Sequence, residues 1–336
     1  GGDKAYILLL EYAFRSPENR KKVASIVVFN DLFSKLISHE SNDEEYQSLA
    51  YLILSMLEID LDFALDIKKD LNLAILPSYI FDENNNEVTR YLLAAILSSV
   101  VPAVRTVRSI CASSEFILAV RDTIQTAENP LLILWLLILL KRSFSVLSAD
   151  FSLFHNTSSH IQVSVCLFHR IHEIRAAAAA ALSCFMQSNE CDTNIQLILF
   201  SISTFNDMSY LVRYQLLLLL VRFLVSTSPT ANPIDMSNVH SFNEIFNLWL
   251  KENPKTFEEY AKAIDCISHL DYSFNYVTSI VKYLIIYFIH DPHPSISSLA
   301  IRTHKLFSII DKSEIRAQSF SPPFMSSVLD GETFEE

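Results

Sequence analysis

Glycine is nearly missing from this chain. Its 336 residues include three, Gly1, Gly2 and Gly331, so none lies between residues 3 and 330. Phosphate-cradling loops, dinucleotide fingerprints and the nucleophile elbow all use backbone freedom that only glycine supplies. Tight β-hairpins draw on it too, so an all-β reading is poor. Positive charge is also short. The chain has 26 Lys and Arg against 38 Asp and Glu, a net charge of −12, and no basic cluster interleaved with aromatics. Nucleic acid is therefore not an expected partner, because phosphate neutralisation needs such a patch. Long hydrophobic runs are lacking as well. The longest, Leu131–Leu140, is ten residues, and the other greasy stretches are interrupted by Arg213, Arg222 or Lys282. A bilayer span needs about 20 residues, so these read as core helices and no transmembrane segment is expected. The five cysteines are odd in number and not closely paired, which suits a reducing compartment and a cytoplasmic protein. Cys111, Cys166, Cys184 and Cys266 sit in apolar helical text, as small hydrophobes do. The first residue is not methionine, and the chain is expected to be a segment of something larger.

What the chain does have is apolar content and a period. Half of its residues are hydrophobic and 19% are charged, enough for an extensive core. The stretch 170–186 opens with a polar turn, sets Ile174 and Arg175 on a first helical turn, and runs through Ala176–Ala181 into Leu182 and Phe185. Alanine favours helix and is small, so this helix is expected to be approached closely by another backbone. The arrangement of polar turn, aliphatic anchor and apolar run recurs at Tyr46, Val88, Leu132, Ile174 and Val212, at spacings of 42, 44, 42 and 38 residues. It returns at Ile296, 84 residues after Val212, with room for a degenerate unit near Phe257. Another unit begins near Tyr6. Paired helices repeating every 40–47 residues or so are the mark of HEAT and armadillo arrays. The expected fold is all-α, a right-handed α-solenoid of about seven helix pairs over 1–316, followed by a disordered acidic tail at 317–336.

Read in order, the pattern predicts a helix Ala5–Phe14, then a second from Pro17 through Leu36 with Ser16 as its N-cap. A polar loop at 39–45 precedes a helix over 46–57. A further helix covers about 62–73, and Pro77 with the run Asp82–Glu87 closes that unit. Residues 88–127 hold a pair broken at Pro102 and near Ala112-Ser113-Ser114, and 143–162 a short helix plus a loop. A second helix of the alanine unit runs from about Asn194 to Thr204. The longest loop is 226–241, and the last helix reaches Ile310. Asn-Pro or Asp-Pro turns at 129, 253 and 291 each precede an apolar helix, as a capping side chain with proline at the first helical position would.

Candidate chemistry is thin. Cys166, His169 and His172 have soft-metal donors, with Cys184 and Cys191 nearby. A zinc site needs four convergent ligands, and steps of three along one helix rotate off a single face. Asp43, Glu44 and Glu45 read as the solvated start of a helix rather than a catalytic carboxylate pair. No Ser, His and Asp constellation has a supporting motif, so no enzyme, metal or cofactor is expected. Arg175 and Arg213 fall one residue after the anchor of their units. Together with Asn129, Asp207 and Asp291 at the turns, they are candidates for a ladder between repeats. The alternative is a contact to a partner.

Three stretches resemble the armadillo-type domain of the Raptor family, the regulatory-associated subunits of target-of-rapamycin kinase complexes. Asn129-Pro130-Leu131-Leu132 with Trp135 is similar to that family's Asn-Pro-Leu-Leu-Arg-Gln-Trp, with Ile133 and Leu134 in place of the polar pair. Ile171-His172-Glu173-Ile174-Arg175-Ala176-Ala177 resembles its Pro-Glu-Val-Arg-Ala-Ala, with His172 where proline would fall. Asp291-Pro292-His293-Pro294-Ser295-Ile296-Ser297 resembles Asp-Pro-Tyr-Pro-Glu-Val-Ser. The resemblance implies a non-catalytic scaffold, docking on the kinase's own helical repeats and helping to present substrates and Rag-type small GTPases. It implies a cytoplasmic protein brought to the lysosomal or vacuolar surface by its partners. A nuclear transport receptor or phosphatase scaffold of the same repeat class is the alternative.

Overall fold

The computed structural model describes residues 5–26, 29–37, 43–57, 73–144, 159–185, 198, 201, 204–227 and 274–307. These residues form 14 α-helices and two short 3-10 turns, with no strand among them. The fold is all-α and of the helical-repeat, solenoid class. The chain divides into two compact units, Gly1–Ser159 and His160–Glu336.

In the first unit, α1 (Ala5–Phe14), α2 (Pro17–Ile26), α3 (Phe29–Ile37) and α4 (Asp43–Leu57) are followed by a 3-10 turn, Leu73–Ile75, and α5 (Leu76–Ile80). Then come α6 (Glu87–Val100), α7 (Arg105–Cys111), α8 (Ser114–Thr126) and α9 (Pro130–Phe144). Helices α1, α4, α6 and α9 form one stacked row, each packed on the next. Helix α6 lies inside that row between α4, α5 and α9, and buries residues on every side, among them Tyr91, Leu93, Ala94, Ile96 and Leu97. Its buried polar groups are served locally, Arg90 Nε donating to the Ile80 carbonyl at 2.7 Å and Ser98 Oγ to that of Ala95 at 2.9 Å. Short polar side chains set the starts: Ser16 accepts from Asn19 N–H at 3.1 Å, Asn86 from Thr89 N–H at 2.7 Å and Ser113 from Phe116 N–H at 3.2 Å.

The second unit holds α10 (Ser159–Val165), a 3-10 turn Cys166–Phe168, α11 (His172–Cys184), α12 (Tyr210–Thr227), α13 (Phe274–Phe288) and α14 (Pro294–Phe307). Helix α11 packs along α12, which meets both α13 and α14. Ala178, Ala179 and Ala181 are fully enclosed, with Ala180 nearly so, which is the close backbone approach the alanine run calls for. Leu216, Leu217, Leu219, Leu220 and Phe223 of α12 have no exposed surface. Burying side chains of this size contributes about 1.5–3 kcal/mol each.

Several sequence expectations need correction. The single helix from 17 to 36 is two, α2 and α3. Helix α4 starts at Asp43, three residues before the expected Tyr46, so that Glu44 and Glu45 stand in its first turn as their charge predicts. Pro77 opens α5 instead of closing a unit, since proline lacks only an amide that a first turn leaves unpaired anyway. Residues 88–127 hold parts of three helices instead of a pair: the breaks expected at Pro102 and near Ala112-Ser113-Ser114 are both present, and the short α7 stands between them. Ser226 and Thr227, expected to open the long loop, still belong to α12. The helix over 62–72, most of the 143–162 loop and 194–204 helix, the rest of the 226–241 loop, the unit near Phe257 and the tail at 317–336 lie outside the described residues.

Candidate functional site

The turns that open the repeat helices share one construction. At Asn129, Asp207 and Asp291 a side-chain oxygen accepts the amide of the residue two further on, from Leu131 at 2.9 Å, Ser209 at 2.8 Å and His293 at 2.8 Å. At His169 the imidazole Nδ1 does the same for Ile171, at 3.1 Å. Such turns direct the chain into the next helix. Burial, then the charges of Arg170 and Arg175, push the His169 pKa down, so its neutral, accepting form prevails near neutral pH.

In the second unit these turns carry two arginine rungs. Arg175 reaches forward to Asp207, with Nε to Oδ2 at 2.6 Å and Nη2 to Oδ1 at 2.9 Å. Its Nη1 donates back to the carbonyls of His169 at 2.8 Å and Arg170 at 3.1 Å. Arg213 repeats the arrangement one unit on. It holds Asp291 at 2.7 and 3.2 Å, and donates to the carbonyls of Asp207 at 2.6 Å and Met208 at 3.0 Å. Each guanidinium thus closes its own turn and clamps the carboxylate of the next. The rungs are sheltered: Arg213 and Asp291 side chains are 13% and 2% exposed, Arg175 and Asp207 18% and 9%. Bidentate pairing of this kind is geometry that lysine cannot copy.

Asn129 has no such rung. Its amide and that of Glu128 are taken by the Glu87 carboxylate, at 2.6 and 3.0 Å, from the first turn of α6. In the first unit the acid comes from the earlier repeat and the donor is backbone. Sequence reasoning missed Glu87, although it stands 42 residues before Asn129, one repeat length. It also missed a second set of rungs at the other helix ends. Arg142 of α9 donates to the Ser98 carbonyl of α6 at 3.1 Å, and Arg222 of α12 to the Ser183 carbonyl of α11 at 2.9 Å. These arginines satisfy carbonyls that the last turn of a helix leaves open.

Beyond the rungs the turn edge of the second unit is mixed, with Arg170, Glu173, Asn206 and His290 exposed beside two large apolar side chains. Met208 is 94% exposed, and Tyr210 stacks on His293 with ring centroids 4.2 Å apart and planes 5° from parallel. Burial pushes the Cys111 and Cys166 thiols up to about 12, well away from thiolate character. Among the described residues no group of three His, Cys, Asp or Glu is placed to hold a metal. Cys166 is buried, His169 is engaged in its turn, and His172 lies beside Glu173 at the surface, 3.2 Å away. None of the described helices is long and apolar enough to cross a membrane.

Comparison with known proteins agrees on the fold. No protein-family model matches the chain, and no curated protein matches it in sequence. Solved structures do. The crystal structure of Raptor from Chaetomium thermophilum superposes with a TM-score of 0.57 at 18% identity, over 91% of this chain and 29% of that one. The chain therefore spans under a third of that Raptor's length. Two engineered proteins superpose equally well. One has a TM-score of 0.58 at 11% identity, covering 91% of this chain and 74% of its own. The other has 0.56 at 10%, covering 83% and 96%. At these identities the likeness is one of fold: a helical-repeat array.

Proposed function

We propose that this chain is a non-catalytic scaffold of the Raptor type, docking on a target-of-rapamycin kinase and helping to recruit its substrates and Rag-type small GTPases in the cytoplasm or at the lysosomal or vacuolar surface. What carries the reading is the ordered set of three turn motifs that open α9, α11 and α14, combined with a fold likeness to Raptor over 91% of the chain. In this reading Arg175, Arg213, Asp207 and Asp291 hold neighbouring repeats in register and are not themselves the partner contact. Four of the five N–H groups of each guanidinium are already engaged. Asn129 shapes the start of α9. The solenoid extends over 1–316, with an acidic tail at 317–336.

A second reading has its own support. The engineered proteins match the fold as closely as Raptor does, so the architecture also suits a general HEAT or armadillo adaptor for nuclear transport or a phosphatase. Affinity purification of the full-length protein from its native cells, read by mass spectrometry, separates the two. Recovery of a giant helical-repeat kinase is expected. Recovery of transport cargo or phosphatase subunits without that kinase sinks the Raptor-type reading and leaves the repeat scaffold.

A further inference from the structure

Of the four turns built alike, three hold their amide with an Asn or Asp oxygen and one with an imidazole. The exchange has a chemical consequence. An amide or carboxylate oxygen accepts a hydrogen bond at neutral and mildly acid pH alike, whereas Nδ1 of His169 accepts only while it carries no proton. The N-cap of α11 is Ile171, which has no side-chain acceptor to offer, so the start of that helix leans on Nδ1. The carbonyls of the same turn, those of His169 and Arg170, are the two that Arg175 Nη1 donates to, at 2.8 and 3.1 Å. The turn therefore positions the guanidinium whose other edge clamps Asp207.

We propose that His169 makes the joint between α11 and α12 an acid-sensitive latch. Protonation turns Nδ1 from acceptor to donor, facing the Ile171 N–H. The turn opens, and Arg175 loses the two carbonyls that hold it against Asp207. The surroundings favour that release. Arg170 on the same turn and Arg175 on α11 are the charges acting on the ring, and both are positive. From the α12 side comes Asp207, its carboxylate taken up by Arg175, while His172 and Glu173 lie at the surface 3.2 Å from each other. Burial, then Arg170, holds the His169 pKa below the ordinary 6.5, so as pH falls past that value the open turn takes up a proton before the closed one. Acid thus favours opening. The next joint repeats the arginine clamp with Asp207 where the imidazole stands, and keeps an oxygen acceptor.

Hydrogen exchange of the full chain, resolved by peptide and corrected for the intrinsic rate at each pH, tests the latch between pH 7.5 and pH 5. Amides at the start of α11 and in the turn before α12 are expected to lose about tenfold in protection, the equivalent of one hydrogen bond. Those in the turn at Asp291 should change by less than about threefold. Because His293 stands at that turn, stacked on Tyr210, the deciding comparison is between variants at the α11 joint. His169→Asn supplies an acceptor that does not titrate; it is expected to match wild-type protection at pH 7.5 and to abolish the acid loss. His169→Ala is expected to be loose at both values. A wild type without the acid loss overturns the proposal, as does His169→Ala as protected as wild type at pH 7.5. An acid loss that survives in His169→Asn overturns it too, and assigns the response to Asp207 or His172.

Discussion

Removing the Asp291 carboxylate tests how much the rungs contribute. In Asp291→Ala, Arg213 loses both bonds at 2.7 and 3.2 Å, and the His293 amide loses its acceptor. The carboxylate is 2% exposed, so water is slow to replace it. Breaking a buried pair from one side costs about 3–5 kcal/mol, because the remaining charge is stranded. Arg213 keeps the carbonyls of Asp207 and Met208, which places the expected loss near the lower end, about 3 kcal/mol. Asp207→Ala removes the equivalent rung at a site where carboxylate and guanidinium are 9% and 18% exposed, and should cost less, about 2 kcal/mol.

A repeat array opens locally, so hydrogen exchange resolved by peptide is a better readout than one global melt. In Asp291→Ala, amides of α14 should exchange about 100-fold faster, the equivalent of about 3 kcal/mol. Adding Arg213→Met should recover at least about 1 kcal/mol of that loss, since no charge is then left unpaired. Added salt should change little, because screening acts weakly on buried pairs. Exchange within about threefold of wild type in Asp291→Ala, or no recovery in the double variant, would refute the claim that these rungs fasten one repeat to the next.

Other consequences follow from the same packing. Ala178→Leu forces a larger side chain into the enclosed contact between α11 and α12 and should cost roughly 1–3 kcal/mol, seen as a lower denaturation midpoint; an unchanged midpoint means the contact is loose. Arg222→Ala exposes the Ser183 carbonyl at a helix end and should cost about 0.5–1.5 kcal/mol, with faster exchange confined to the last turn of α11 and its neighbour. Cys111 and Cys166 should resist iodoacetamide at pH 8 until the protein is unfolded, which site-resolved mass spectrometry reports. The sign for stability follows from the same shift. Folding raises both thiols from 9.0 to about 12, so the unfolded chain loses protons first and stability falls as pH climbs from 9 towards 12.

The repeat class was legible because each turn is written in local chemistry. Asn, Asp or His, then a helix start, then an anchor, recurs along the chain, and each of those turn residues accepts an amide only two positions on. The rungs are another matter. The register of Arg175 with Arg213 is visible in sequence, but their carboxylate partners lie 32 and 78 residues away. Arg142 and Arg222 were harder still. In a greasy helix an arginine near the C-terminus looks like an interruption, and only stacking reveals the open carbonyl it serves. Pro77 misled for a related reason: proline both ends helices and begins them, and the residues before it decide which.

The two units also solve the same joint with opposite polarity, and one position explains how. Six residues after the turn acceptor stands Arg175 in one repeat and Arg213 in the next, but Trp135 after Asn129 and Ser297 after Asp291. Where that position is arginine, the following turn of the second unit offers an aspartate, and the pair closes. Where α9 offers Trp135 there is no guanidinium to reach forward, and the turn at Asn129 is itself held from behind by Glu87 through backbone amides alone. Any substitution except proline leaves a backbone amide in place, whereas any substitution removes the guanidinium. The first joint therefore depends on a single carboxylate, and the later ones on a matched pair that must change together. That makes Glu87→Gln the milder lesion: an amide oxygen still accepts one of the two bonds, and about 1 kcal/mol is the expected loss, read as faster exchange at the start of α9. Equal losses at Glu87→Gln and Asp291→Ala would mean the polarity of the joint is without consequence.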